Sequence, residues 1–107
     1  SVVTLITKVI EKIQTESPRT KLYIQSLLPI NESFGRYKTM TGKTDLIPEI
    51  NRKLEALAKE KKISFIHLFP LFTEKNSNVM RKELTTDGLH LTEEGYRIWS
   101  KALKRYL

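Results

Sequence analysis

Helix-period segments alternate with short apolar runs along this chain, and that alternation narrows the folds open to it more than any other feature. Leu5, Ile6, Val9, Ile10 and Ile13 recur at helical spacing, with Lys8, Glu11, Lys12 and Gln14 between them, until Ser17-Pro18 stops the pattern. Lys21 to Ser26 then reads as a short strand that ends in Leu27-Leu28-Pro29, where proline removes a ladder donor. A second helix is predicted from a cap at Thr44 or Asp45. Pro48 fits its first turn, Ile47, Ile50, Leu54, Leu57 and Ala58 mark its apolar face, and Lys59 to Lys62 ends it. Ile63 to Leu68 is an almost unbroken apolar run, the pattern of a strand covered on both faces. Helix, strand, helix, strand in that order predicts parallel strands joined by a right-handed crossover.

The remaining segments are more polar. Ile30 to Lys43 reads as a long loop, and a second loop follows Pro70, with a helical turn expected over Val79 to Leu84. Thr92 should cap a final helix, with Glu93 and Glu94 in its positive first turn; Gly95 at the third position prevents a full capping box. Tyr96, Trp99, Ala102, Leu103 and Tyr106 are its predicted buried stripe. A chain of 107 residues is long enough for one domain. Two parallel strands, however, neither cover themselves nor remove their open edges, so this unit is expected to meet more sheet. The first residues read as the middle of an amphipathic helix, which leads to the expectation that the chain starts inside a larger protein.

Composition closes several functional classes. With no cysteine, a disulfide framework, a thiol nucleophile and a thiolate metal site are excluded. No apolar run approaches the roughly 18 residues needed to span a bilayer. The net charge of +7 gathers at Lys59, Lys61, Lys62 and at Lys101, Lys104, Arg105, in predicted last helical turns where cations complement the macrodipole. No aromatic platform is interleaved with them, so nucleic-acid binding is the weaker reading of this charge.

Chemistry concentrates in Asp87-Gly88-Leu89-His90-Leu91. A carboxylate three residues before an imidazole, with glycine between, can close a tight turn in which Asp87 accepts a hydrogen bond from His90 Nδ1–H. Nε2 is then free to take a proton, which is the base-and-orienter part of a nucleophilic triad. Asp-Gly is equally an ordinary turn dipeptide. Gly88 should be needed for the backbone path, and Leu89 and Leu91 should anchor the turn to the core.

Continued through Thr92-Glu93-Glu94-Gly95-Tyr96, this run resembles the last conserved block of the SGNH (GDSL-type) ester hydrolases. Weaker similarities precede it in that family's order: Ser17-Pro18 leading into Tyr23-Ile24-Gln25-Ser26-Leu27-Leu28-Pro29, then Asn51 and Leu54 leading into Ile63-Ser64-Phe65-Ile66-His67-Leu68-Phe69. The resemblance implies an α/β fold, the C-terminal portion of a three-layer α/β/α, flavodoxin-like sandwich with a five-stranded parallel sheet. It makes residues 1–107 the C-terminal part of a single domain, with His90 as general base and Asp87 as orienting acid. The family's nucleophile lies in a Gly-Asp-Ser block, and its oxyanion hole uses that serine's amide, a glycine amide and an asparagine from further blocks. None of these blocks occurs here, nor does a Gly-x-Ser-x-Gly elbow, so the chain alone should be inert and need the missing N-terminal half. The implied substrate is an acetyl or other short acyl ester. Similarity to the branch sharing these patterns points to an O-acetylated carbohydrate such as a sialic acid; the compartment is left open, the family resemblance slightly favouring an extracytoplasmic one. The implied chemistry calls for no cofactor and no metal.

Other candidates carry weaker signals. Ser26 sits at a strand end but lacks the strand-turn-helix context that exposes an activated serine, so a strand-ending role is expected. His67 has no metal-ligand partner at the right spacing and is expected to be a packed, structural histidine. Asn31, Phe34, Arg36 and Tyr37 occupy the loop that should border the site. The alternative to a hydrolase is a non-catalytic module on the same fold that binds a glycan or a protein.

Overall fold

A computed structural model describes residues 1–107. Helix α1 spans Val2–Glu16, strand β1 Tyr23–Gln25, helix α2 Leu46–Glu60, strand β2 Ser64–Ile66, the one-turn helix α3 Phe69–Phe72 and helix α4 Glu93–Lys104. β1 and β2 pair in parallel, Tyr23 against Ser64, Ile24 against Phe65 and Gln25 against Ile66. Alternation along the strands sends side chains to both sides. Ile24 and Phe65 join Ile10 of α1 and Leu54, Leu57 and Ala58 of α2. Tyr23 and Ile66 join Leu68, Phe72, Met80 and Leu84, under Ala102 of α4. Helices therefore cover both faces, giving three layers around a parallel sheet as predicted. Burying a side chain such as Leu84 or Phe72 completely contributes about 1.5–3 kcal/mol. No helix is long and apolar enough to cross a membrane.

Both strands are shorter than the apolar runs that announced them, and side chains explain why. Ser26 Oγ accepts the backbone N–H groups of Leu68 and Phe69 at 3.0 and 2.9 Å. The amide of Asn51 grips Leu27 from α2, accepting its N–H at 2.7 Å and donating to its carbonyl at 3.2 Å. Past the last ladder bond, from Ser26 N–H to the Ile66 carbonyl at 3.0 Å, these side chains take up backbone groups of Leu27, Leu68 and Phe69 that could have extended the pairing.

Several local expectations need correction. Ser1 caps α1, its hydroxyl accepting Thr4 N–H at 3.2 Å. On its apolar stripe only Ile10 is buried; Leu5 and Val9 are exposed, because α1 meets α2 and the sheet along one edge. Asp45 occupies the N-cap position of α2 without capping it: its carboxylate accepts from Asn78, and Thr44 bonds to Glu32. The turn expected over Val79 to Leu84 is helical only at Lys82–Leu84, as Val79 and Met80 bridge to Ile30 and Thr73. In α4, Trp99, Ala102, Leu103 and Tyr106 pack against the core as predicted, joined by Ile98 and the buried Gly95, whereas Tyr96 is 52% exposed instead of buried. Leu89 is also exposed, so of the two leucines expected to anchor the histidine turn only Leu91 packs against the core.

Candidate active site

The stretch from Leu84 to Thr92 is a compact loop closed at its base by a bridge between Thr85 and Leu91 and by Thr92 N–H donating to the Leu84 carbonyl at 2.9 Å. Thr85, buried inside it, organises the turn through its hydroxyl. Oγ1 accepts Gly88 N–H at 2.9 Å and donates to the His90 carbonyl at 2.7 Å. Gly88 has φ +94°, which L side chains rarely adopt, and an added Cβ would collide with the Asn31 carbonyl oxygen. That approach is itself a hydrogen-bonded one, since Asn31 N–H donates to the Gly88 carbonyl at 2.8 Å. Gly95 has a similar reason to lack a side chain: its Cβ would sit 2.8 Å from the Leu84 carbonyl and 3.1 Å from Leu91 Cβ.

Within this frame Asp87 accepts from four donors. Oδ1 takes the N–H groups of Leu89 and His90 at 2.9 and 2.8 Å. Oδ2 takes the Tyr37 hydroxyl at 2.8 Å and faces His90 Nδ1 at 2.7 Å. The Asp87 side chain is only 11% exposed, whereas that of His90 is 64% exposed. The carboxyl is held well below the usual carboxylate range by the His90 amide first, then by the His90 ring, the Leu89 amide and the Tyr37 hydroxyl, against the opposing effect of burial. Asp87 is therefore ionised at neutral pH. With Nδ1 directed at the carboxylate, the free nitrogen of the imidazole is Nε2.

The loop predicted to border the site supplies the roof of this arrangement. Its chain is folded by Glu32, whose carboxylate accepts Gly42 N–H at 2.7 Å, Thr44 N–H at 3.1 Å and the Thr44 hydroxyl. These bonds, led by that from the Thr44 hydroxyl, also hold the carboxyl of Glu32 below its ordinary pKa. Asn31 is buried and donates Nδ2–H to the Met80 carbonyl at 2.8 Å, so it joins this loop to the one before the histidine turn. Phe34 lies against Gly88, and Arg36 is exposed beside Tyr37. Sequence position placed Tyr37 and Asn31 only in a loop bordering the site and did not show that they touch the histidine turn, because these contacts span fifty residues or more and follow no local spacing.

His90 opens onto a groove of about 460 Å³ walled by Leu28, Leu68, Leu91 and Trp99, with Ser26 at its base. Trp99 is held there by Nε1–H donating to Gln25 Oε1 at 2.7 Å. Ser26 spends its oxygen on the two backbone amides described above, consistent with a strand-ending function. His67 is not brought to this site. Contrary to expectation it is not packed away: its side chain is 53% exposed, edge-on to Phe65 and 3.4 Å from Glu55, because the chain has already left the ladder after Ile66. No three His, Asp or Glu side chains converge on a point that could hold a cation.

Comparison with known proteins bears on this geometry. The sequence model of the GDSL-like lipase/acylhydrolase family matches residues 2–98. Among solved structures, a Streptococcus pneumonia protein provisionally named a platelet activating factor is similar, with 29% identity over 97% of this chain and a TM-score of 0.82. A GDSL-like lipase from Bacteroides thetaiotaomicron is similar at 25% identity over 97% of the chain, with a TM-score of 0.82. The chain spans about half the length of these two structures, 49% of each. The esterase domain of the ORF1 protein from the zebrafish ZfL2-1 retrotransposon shares the fold, with a TM-score of 0.72 and 24% identity, over 98% of this chain and 56% of that one. No curated protein sequence matches it.

Proposed function

Because the chain belongs to the GDSL-like lipase/acylhydrolase family, we propose that it supplies the histidine and aspartate of a serine ester hydrolase acting on acetyl or other short acyl esters. The observation that carries this reading is the 2.7 Å contact between His90 Nδ1 and a carboxylate fixed by three further donors. A hydroxyl is a poor nucleophile until a neighbouring base removes its proton, and an imidazole with an ordinary pKa near 6.5 can both remove and return one. His90 Nε2 takes the serine proton as the oxygen attacks the acyl carbon. The developing imidazolium is stabilised by Asp87 without proton transfer to it, and Nε2 then protonates the departing alkoxide. Water repeats the sequence on the acyl-enzyme: Nε2 removes its proton, the acid departs, and the serine regains the proton.

In this reading residues 1–107 are the C-terminal part of one domain, and the nucleophile and oxyanion donors come from sequence that precedes them. Two facts support that: no Gly-Asp-Ser block lies in the chain, and the chain covers about half of its structural neighbours. Ser26 is a poor alternative, since both backbone amides already bind its oxygen. The apolar walls beside His90 suit a short acyl group, and the resemblance of the Tyr23–Pro29 and Asp87–Leu91 segments to carbohydrate esterases favours an O-acetylated sugar as the alcohol.

The test uses the enzyme with its serine-bearing segment and a chromogenic acetyl ester. His90→Ala should lower kcat by on the order of 10⁴- to 10⁶-fold. Full turnover in that variant would refute the assignment.

A further inference from the structure

The oxygen of Asp87 that faces the imidazole is shared with a group the reaction scheme does not use, the Tyr37 hydroxyl. We propose that Tyr37 is a positioning residue of the pair: by donating to Asp87 Oδ2 it takes up part of the carboxylate's charge and so limits how tightly His90 holds its proton. The proposal rests on His90 acting as general base.

Three observations separate this from incidental packing. The Tyr37 ring is already placed by hydrophobic contact, because it packs on the cluster of Ile30, Met40 and Ile47 and lies edge-on to His90 with ring centres 6.3 Å apart. A phenylalanine would satisfy both contacts, so the hydroxyl is the part that packing does not require. The carboxylate's orientation does not require it either, since Oδ1 is pinned by the amides of Leu89 and His90. What the hydroxyl changes is Oδ2. Donors on one acceptor compete for its charge, and a phenol drawn onto Oδ2 leaves less of it for the imidazolium. A base that binds its proton too strongly stays charged at neutral pH and cannot accept the serine proton, so moderation of the carboxylate favours the working form.

The charged and titratable groups around the pair are few. Arg36 neighbours Tyr37 in the loop, and Tyr96 of α4 lies across the groove from His90. The bond to Asp87 pushes the Tyr37 phenol above its ordinary value, with burial and the carboxylate's charge adding and Arg36 opposing. It therefore remains a donor throughout the neutral range.

The experiment is a proton NMR titration of the ring signals, simplified because the chain has two histidines. In Tyr37→Phe the His90 midpoint should rise above that of the unaltered protein, because one of the two donors on the shared acceptor is lost, while His67 stays in place. In the ester assay the acid limb of kcat/KM should move upward by the same amount. A His90 midpoint that is unchanged or lower in Tyr37→Phe overturns the proposal. Asp87→Asn tests the underlying pair separately: the His90 midpoint should fall, and a midpoint that does not move removes the Asp–His reading rather than the role of Tyr37. Should Tyr37→Phe fold poorly, the Tyr37 hydroxyl can be titrated in the unaltered protein and in Asp87→Asn. A raised midpoint that returns toward the ordinary tyrosine value in Asp87→Asn supports the shared oxygen, and identical midpoints in both proteins overturn it.

Discussion

His90 and His67 each face a carboxylate, at 2.7 and 3.4 Å, yet the two pairs are built differently. Asp87 is three residues from His90, nearly enclosed, and held by three donors besides the ring. Glu55 reaches His67 from one turn of α2 toward the end of β2, and both side chains are 53% exposed. No hydrogen bond fixes the Glu55 side chain, so holding the second contact costs the rotamer freedom of a long side chain in water. Opposite charge within reach therefore says little by itself. What separates the two pairs is the number of groups that have already fixed the carboxylate before the ring arrives.

The largest expected effect breaks the two pairs apart by activity. In the enzyme with its serine-bearing segment, Asp87→Asn should lower kcat by about 10⁴-fold, because the amide presents the wrong partner to Nδ1 and loses the charge that stabilises the imidazolium. Glu55→Gln should leave kcat within about twofold. Equal losses in the two variants would show that carboxylate proximity alone, and not the enclosing frame, is what matters.

Next in size is the backbone of the frame. Gly88→Ala must accept a positive φ and displace the Asn31 carbonyl, so it should lose about 2–4 kcal/mol in urea denaturation. Gly42 shares the positive φ but has open space around it, and Gly42→Ala should lose only about 1 kcal/mol. The difference between the two isolates the close approach of the Asn31 loop from the cost of the dihedral angle. Equal losses would mean that the loop yields and does not clamp the turn.

A third test uses pH. The folded-state pKa of Asp87 is depressed, so its contribution to stability is fully present above the unfolded value of about 3.9. It is lost as pH falls below that value toward the lower folded one. Asp87→Asn should accordingly melt below the unaltered protein at pH 6, and the gap in Tm should narrow steadily between about pH 4 and pH 2. Glu32, also depressed, remains in both proteins and cancels from the comparison. A gap independent of pH would show that the carboxylate's charge is not what the four donors stabilise.

Much of this architecture was legible in the sequence because it follows local rules. Helical spacing in α2 and α4, the apolar runs at β1 and β2, and the Thr92 cap depend on neighbours within a turn or a strand. The Asp87–His90 contact was legible for the same reason, its partners being three residues apart. Tyr37, Asn31 and Glu32 were named only as loop residues or not at all, since their value comes from contacts set by tertiary folding: Tyr37 to Asp87, Asn31 to Gly88 and Met80, Glu32 to Gly42 and Thr44. Periodicity also cannot say which half of an apolar stripe will find a partner. Leu5, Val9 and Tyr96 fit the pattern of buried positions and lie in solvent, while Ile10 and Ala102 of the same helices are covered.

The smallest expected effect sharpens the comparison from the surface side. Glu55→Gln removes the charge facing His67 but keeps the shape of the side chain, and the pair it breaks is exposed on both partners. The Coulomb gain of such a pair is reduced by water and salt and offset by ordering two side chains, so Tm should change by less than about 2 °C at pH 6. Raising salt to 1 M shortens the screening length to about 3 Å and should erase whatever difference remains. The contact between Asp87 and His90 is shielded on the carboxylate side by protein donors and should keep its effect on Tm in the same salt. If the Glu55 effect were instead large and salt-resistant, His67 would have to be regarded as a second framed pair. The groove of about 210 Å³ that it shares with Ser26, Asn51, Arg52 and Glu55 would then merit the same titration as His90.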